Sequence, residues 1–464
     1  MAEQINLDEM RNNVNELLDS REFGRIRVLF TAMEPADIAE LLGEIDEQLG
    51  EIDEQRLPIL FRILPKELAA ETFVEMDSDE QELLINAFSE RELHDVVEEL
   101  FVDDAVDIIE EMPANVVKRI LRHTDSEMRN SINEILRYPK DSAGSIMTTE
   151  YVSLKKDMTV SEAFDRIRRT GVDKETIYTC YVTDTDRKLI GLVTVKELLL
   201  SPYNTVINTI MEKNIISVET LDDKEEVANM FDKYDFMSLP VVDKENRLVG
   251  IVTFDDAIDV IQEENTEDIQ KMGALQPIEE TYLKTPVWRH AKNRIVWLLL
   301  LMLSATITGS IIENYEAAFT ALPILVAFIP MLMDTGGNCG AQSSTMIIRG
   351  LALDEITPKD IMKIMFKEIR IAVVVGLILA AVNTLRIYIM YSGQDPLFLS
   401  AVTGLSLIAT VVIAKMLGGV LPILAKLCKL DPALMASPLI TTIVDTCSVI
   451  IFFNIALWIM SWGI

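Results

Sequence analysis

The stretch Ser437-Pro438-Leu439-Ile440-Thr441-Thr442-Ile443-Val444-Asp445-Thr446-Cys447-Ser448-Val449-Ile450 decides the class of this protein. It sits in an apolar run from about Ala433 to Trp462 whose one charge, Asp445, lies near the middle. A helix of about 20 apolar residues crosses a bilayer. A charge at mid-span costs roughly 2.5–3.5 kcal/mol on insertion, so it normally serves a purpose. Ser437, Thr441 and Asp445 recur at i, i+4 and i+8 and share one helical face. A polar stripe ending in a carboxylate suits a pore lining. A buried Asp bonded to a neighbouring helix for packing is the alternative.

Working outward, four more charge-poor runs read as spans: Ile295–Ile312, Ala317–Met333, Ile371–Leu385 and Pro396–Ala414. The second can run on through Thr335–Ile348, and the third past Arg386. Five spans put the termini on opposite sides. Lys284, Arg289, Lys292 and Arg294 precede the first span. Arg349, Lys359, Lys363, Lys367 and Arg370 separate the second and third, and Lys426 and Lys429 the fourth and fifth. The other two loops carry Glu313, Glu316 and Asp395. The positive-inside rule then predicts a cytoplasmic N-terminus and an external C-terminus. Trp288, Trp297, Trp458 and Trp462 fall near span ends, where interfacial anchors belong. Asp334 adjoins Thr335-Gly336-Gly337-Asn338-Cys339-Gly340, whose three glycines predict an interrupted helix or a close helix contact.

Residues 284–464 hold 13 basic and 10 acidic residues, whereas 1–283 hold 29 and 64. An acidic soluble part is therefore joined to an apolar membrane part. So acidic a chain excludes a nucleic-acid partner, which needs basic surface. The 49% apolar content excludes wholesale disorder. Cys180, Cys339, Cys428 and Cys447 are too scattered for a disulfide framework or a CxxC site. The polar start MAEQINLDEM has no signal-peptide character and predicts a cytoplasmic soluble part. There is no phosphate-binding G-x-x-x-x-G-K-[ST] run and no nucleophile–base arrangement, so an enzyme is not expected.

An internal repeat organises residues 139–262. Ser145-Ile146-Met147-Thr148 corresponds to Thr209-Ile210-Met211-Glu212, and Leu189-Ile190-Gly191-Leu192-Val193-Thr194 to Leu248-Val249-Gly250-Ile251-Val252-Thr253. Each copy reads strand, helix, strand, strand, helix. This resembles a tandem pair of CBS domains, an α/β module. The resemblance implies an adenosine nucleotide, such as ATP, between the copies. Thr253 and Asp256 match the ribose-binding Thr-x-x-Asp pattern, the first copy has Thr194 and Glu197 there, and Phe236 joins this set. A purely structural module is the alternative.

Residues 1–138 carry apolar positions three or four apart between short Pro breaks, predicting short acidic helices stacked as a superhelix. Residues 255–283 begin as a carboxylate-rich helix long enough, at roughly 30 Å, to link the soluble part to the membrane part. Clustered carboxylates suit Mg²⁺ or Ca²⁺. His94, His123 and His290 are scattered and are not expected as ligands.

Residues 284–464, as a five-helix transmembrane domain, carry Thr335-Gly336-Gly337-Asn338 with Gln342, Asp431-Pro432-Ala433-Leu434, Ser437-Pro438-Leu439 and Asp445, and the soluble part carries Tyr234-Asp235-Phe236 and Thr266-Glu267-Asp268-Ile269. By these marks the whole chain resembles the MgtE-type magnesium channel/transporters. The resemblance implies a plasma-membrane homodimer with a pore on its two-fold axis. Asp445 of both protomers would face hydrated Mg²⁺, with Ser437, Thr441 and Asn338 along the pathway. It implies regulatory Mg²⁺ at Glu71, Asp103 and Asp107 of the acidic domain and at Asp223, Glu225, Asp235 and Asp256 of the CBS pair. Glu264, Glu267 and Asp268 of the linking (plug) helix and Asp431 join them, with backbone carbonyls at Ser145 and Asp232. A CBS-regulated transporter of another ion and a membrane-anchored nucleotide sensor without transport are the competing readings. An anion pore should carry Arg or Lys at mid-span, against Asp445.

Overall fold

The computed structural model describes residues 7–49, 56–278, 282, 283, 285–315, 323–353, 355–435 and 437–461. Lys284, Glu316, Ala317 and Trp462, used above as loop charges, a span start and an anchor, lie outside them, as does the side chain of Ser437. Two compact units form, residues 1–261 and 262–464.

In the first unit, ten helices run from Leu7–Asp19 to Ser126–Ile135 among the described residues. Polar caps and prolines punctuate them. Ser89 and Glu92 close a capping box, Asp125 accepts from Met128 N at 2.7 Å, and Pro65 and Pro113 stand just before helices. Alternate helices pack together: Pro35–Leu49 on Lys66–Val74, that on Glu90–Val97, and that on Ala114–His123. This ladder is the expected superhelix. Helix Val102–Glu111 buries Val102, Ala105, Val106, Ile108 and Ile109, the face its sequence period marks.

The repeat forms two three-stranded sheets of the same plan. In the first, β1 (Tyr151–Lys155) runs parallel to β2 (Thr176–Thr183), which is antiparallel to β3 (Leu189–Thr194). In the second, β4 (Val218–Glu219), β5 (Ser238–Val242) and β6 (Leu248–Thr253) repeat that order. The copies interlock by exchange. Thr148 N donates to Ile251 O at 2.8 Å and Ile251 N to Thr148 O at 2.9 Å, while Leu192 and Glu212 exchange the equivalent bonds. The Ile-Met segment preceding each copy thus docks on the other copy's last strand. That contact requires Gly191 and Gly250. A Cβ on Gly250 would stand 2.7 Å from both Met147 Sδ and Thr148 O, and one on Gly191 would stand 2.6 Å from Met211 Sδ. One continuous core runs from Val14 through the acidic helices into the second copy at Val260. Cys180 is sealed in the first copy's core, where burial pushes its thiol up to about 12.

In the second unit, five helices are long and apolar enough to cross a membrane: Val287–Glu313, Pro323–Ala352, Pro358–Met390, Pro396–Leu427 and Pro432–Ser461. Span four packs against spans two, three and five, and span one against span five, where Thr308 Oγ1 and Thr446 Oγ1 meet at 2.7 Å. Four spans are extended by charge-bearing turns that a charge-free criterion leaves out. Span four does not end at Ala414: it continues through a buried Lys415, which donates to Ser343 Oγ at 3.1 Å. The α-helix of span three, Ile361–Met390, starts ten residues before Ile371 and buries Glu368, which accepts from Ser343 Oγ at 2.6 Å. Joined through the Ser343 hydroxyl, these charges no longer mark a membrane boundary.

Candidate ion pathway and acidic seam

The glycine run of span two is not an interruption. Helix Ile329–Ala352 is continuous, and the glycines serve close packing. A Cβ on Gly336 would stand 2.8 Å from Val444 Cγ1, one on Gly337 2.9 Å from Thr441 Cγ2, and one on Gly340 2.6 Å from Ile440 Cγ2. Spans two and five therefore meet where Thr441 and Asp445 lie. On span two, Asp334 and Asn338 are exposed one turn apart, and Asn338 Nδ2 donates to Asp334 Oδ1 at 3.1 Å. Asp334 and Asp445 are close enough for their charges to interact. Thr441 Oγ1 and Thr442 Oγ1 both donate to Pro438 O, at 3.0 and 2.8 Å, which satisfies the two hydroxyls within span five. The result is a face carrying two carboxylates, a carboxamide and a threonine. Asp334 belongs to it although the sequence reading left it out of the ion pathway. Its adjacency to Asn338 at i+4 was the available signal.

At the foot of span five, Asp431 Oδ1 accepts from Ala433 N at 2.8 Å, opening the turn Pro432–Met435. Ser344 Oγ on span two donates to Met435 O at 2.7 Å and holds that turn. The end of the linking helix reaches the same place: Lys271 Nζ lies 2.5 Å from Glu267 Oε1 and 2.6 Å from Asp431 Oδ2. Burial, then the Asp431 charge, hold Asp268 above the usual carboxylate range.

The first unit carries an acidic seam between helix Val102–Glu111 and the CBS pair. Asp103 is buried, and its Oδ1 has no hydrogen-bond donor. Burial and Asp256 push Asp103 well up. Burial, helped by Asp256 and Asp255, raises Asp104 to about 7. Burial and Asp104 raise Glu175 to about 8, and burial raises Asp256 to about 6 against its Thr253 bond. Glu150 Oε2 accepts from Val102 N at 3.0 Å and adds to the field. Two orphaned carboxylate oxygens, Asp103 Oδ1 and Glu175 Oε2, fit the needs of a hard cation. Among the described residues no three acidic, His or Cys side chains form a ready-made metal cage, so an ion here would draw the carboxylates together. Asp104, Glu150 and Glu175 were missed because their proximity is tertiary.

The other expected ligands are dispersed. Glu71 is exposed on Lys66–Val74, and Asp107 is exposed on Val102–Glu111. Asp223 caps helix Lys224–Tyr234 by accepting from Glu225 N at 2.9 Å, and Glu225 is exposed. Asp232 is exposed near that helix's end, and Asp235 closes it with φ 55°. Ser145 Oγ donates to Ser142 O at 2.8 Å, and Glu264 is half-buried on the linking helix. The nucleotide residues have structural duties. Thr194 and Glu197 form a capping box, with Thr194 N to Glu197 Oε2 at 2.9 Å. Thr253 Oγ1 donates to Asp256 Oδ2 likewise. Phe236 stacks on Tyr234 with ring centres 5.3 Å apart.

Four stretches of the chain match three known families. Residues 329–455 match MgtE, a divalent cation transporter; 33–141 match the MgtE intracellular N domain; 143–202 and 207–263 each match the CBS domain. The chain is 35% identical over 453 residues to the magnesium transporter MgtE of Thermus thermophilus, covering 97% of this chain and 98% of the relative. The chain belongs to the MgtE family of magnesium transporters. A second MgtE, from Bacillus subtilis, is 30% identical and covers 98% of each chain. The first unit is similar to the crystal structure of the cytosolic domain of the Mg²⁺ channel MgtE in complex with ATP, with TM-score 0.50, 33% identity, and coverage of 54% of this chain and 99% of that one. The MgtE architecture expected from the sequence, with an acidic helical domain, a CBS pair and five spans, thus stands, and so does its membrane setting.

Proposed function

We propose that this chain conducts Mg²⁺ into the cytoplasm down its electrochemical gradient, and that cytosolic Mg²⁺ closes it. The observation that carries the reading is the carboxylate face of the membrane unit, Asp445 with Asp334, Asn338 and Thr441. Mg²⁺ gives up its water reluctantly, so these groups would recognise the hydrated ion. Ser437 would extend the face by one turn. The pathway is completed in a homodimer, where Asp445 of each protomer faces the two-fold axis. The soluble part lies in the cytoplasm and the C-terminus outside.

A membrane potential contributes about 4.6 kcal/mol per 100 mV for a divalent ion. That is on the order of a thousandfold accumulation. A sensor is needed to limit it. Without Mg²⁺ the seam carboxylates repel one another. With Mg²⁺, Asp103 and Asp256 are bridged, and Glu264, Glu267, Asp268 and Asp431 draw the linking helix onto the foot of span five. Glu71, Asp107, Asp223, Glu225 and Asp235, with the carbonyls of Ser145 and Asp232, supply weaker contacts. An adenosine nucleotide between the CBS copies would approach Thr253, Asp256 and Phe236, with Thr194 and Glu197 at the related position. The orphaned Asp103 and Glu175 oxygens support the metal reading, and the capping duties of Thr194 and Thr253 stand beside the nucleotide one.

The test is ion flux into proteoliposomes. Wild type takes up Mg²⁺ and is inhibited by millimolar Mg²⁺ on the soluble face, and Asp445→Ala takes up none while eluting as a folded protein. Uptake by Asp445→Ala equal to wild type ends the pore assignment.

A further inference from the structure

Glu267 and Asp431, two of the carboxylates assigned above to a regulatory ion, already hold a cation belonging to the chain. Lys271 Nζ sits 2.5 Å from Glu267 Oε1 and 2.6 Å from Asp431 Oδ2, and its side chain is only 20% exposed. The glutamate lies one turn earlier on the same helix, whereas the aspartate is 160 residues away in sequence, so the ammonium joins the linking helix to the segment entering span five.

The lysine is held in place from beyond the helix end as well. Gly273 and Ala274, the latter at φ 55°, stop the helix. The Gln270 carboxamide bonds the backbone of Ile278 twice, Nε2 to its O at 3.1 Å and Oε1 from its N at 2.7 Å. Gln276 N donates to Asn293 O on span one at 3.2 Å. The turn that Lys271 grips is itself fixed through Asp431 to Ala433 N and through Met435 O to Ser344. An ammonium in this bracket supplies part of what a bridging ion would supply.

We propose that Lys271 is a positioning residue of the gate: a tethered cation that holds the linking helix on the Asp431–Met435 segment when Mg²⁺ is scarce and must be displaced before Mg²⁺ can bind there. The inference rests on the regulatory-ion reading above. An ammonium and a divalent ion cannot occupy the space between the same two oxygens. Lys271 therefore lowers the apparent Mg²⁺ affinity of this site and raises the docked fraction without Mg²⁺. The two effects have opposite signs, which a merely structural lysine would not produce.

The experiment compares full-length wild type, Lys271→Met, Lys271→Arg and Asp431→Asn, purified in detergent. Two quantities are read: protection of residues 254–275 from a protease that does not cut at Lys or Arg, titrated with Mg²⁺, and Mg²⁺ binding by calorimetry. In EDTA, Lys271→Met should be cleaved faster than wild type, yet the midpoint of its Mg²⁺-dependent change in protection should lie roughly three- to tenfold lower, the factor expected for loss of a competing half-buried ion pair. Lys271→Arg should track wild type. A Lys271→Met midpoint equal to or above wild type, or unchanged cleavage in EDTA, overturns the proposal. Asp431→Asn separates the two readings. If it keeps wild-type Mg²⁺ protection, the ion site at the foot of span five is itself wrong; if it loses protection while Lys271→Met is unshifted, the site stands and only the tethered cation is wrong.

Discussion

The charges buried in the membrane unit give the sharpest test of its packing. Lys415 on span four, Ser343 on span two and Glu368 on span three form one chain of bonds, Lys415 Nζ to Ser343 Oγ at 3.1 Å and Ser343 Oγ to Glu368 Oε2 at 2.6 Å. All three are buried, at 5%, 3% and 8% exposure. Lys415→Met removes the cation and leaves Glu368 facing only a hydroxyl. Leaving one buried charge uncompensated, here one bridged to its opposite through the Ser343 hydroxyl, costs up to about 3–5 kcal/mol. For a unit of this size, with 1 kcal/mol worth about 2–4 °C, the melting temperature should fall by roughly 6–20 °C. Glu368→Gln should cost a comparable amount, since Lys415 is then the orphan. The double variant should lose much less than the sum, because Met and Gln leave no unpaired charge. The assay is thermal unfolding of the purified full-length protein in detergent, read by size-exclusion after heating, for the four members of the cycle. If the single losses are each under about 1 kcal/mol and simply add, the three groups are not a coupled network and the explanation for a charged span four is wrong.

Three further outcomes follow from the same structure. Gly250→Ala should destabilise the first unit by about 1–3 kcal/mol, by forcing Met147 and the Thr148 carbonyl away from the added methyl; a melting temperature equal to wild type would mean the copies are not interlocked as described. In EDTA, the first unit should lose stability as pH rises from about 4 to about 8, because Asp104, Glu175 and Asp256 have raised pKa values and the folded state holds protons that the unfolded chain has released. Mg²⁺ should stabilise it more at pH 8.5 than at pH 5.5, and thermal unfolding with equal midpoints at both pH values in EDTA would contradict the seam. A single reactive cysteine added after Ile464, in a chain otherwise stripped of cysteine, should label only from the external side, and labelling from the cytoplasmic side would reverse the topology.

Local chemistry made most of the architecture legible in sequence. The repeated apolar runs Leu189–Thr194 and Leu248–Thr253 marked the two sheets, and apolar length the five spans. What stayed hidden depends on contacts between residues distant in the chain. The run before Lys415 read as the end of span four because a lone lysine is expensive in hydrocarbon. It is tolerated because Ser343, 72 residues earlier, supplies its acceptor. The glycines of span two left two readings open, a break or a close approach. Only the positions of Thr441, Val444 and Ile440 on span five decide for the approach. Glu175 looked like one more solvated acid among the 64 in the soluble part. Its raised pKa arises from burial and then from Asp104, 71 residues away, neither of which a one-dimensional pattern contains.

The same reasoning explains why the acidic excess is uneven in its consequences. Surface carboxylates such as Glu98 find a lysine, here Lys66 at 3.0 Å, and hold their charge at little cost. The seam acids instead meet other acids and bury oxygens without donors. Folding would discard such an arrangement if it had to stand alone, since each raised pKa records free energy lost at neutral pH. Under the proposed regulation, a cation bound at the seam would return that energy. Stability of the seam then becomes a function of ion concentration, which is what a sensor requires. At the foot of span five the deficit is already met in part by Lys271. The two proposed ion sites should therefore differ: the seam empty and strained in EDTA, the foot of span five held by its own lysine. Mg²⁺ should accordingly raise the melting temperature of the first unit more than that of the second, and the Lys271→Met variant should narrow the difference.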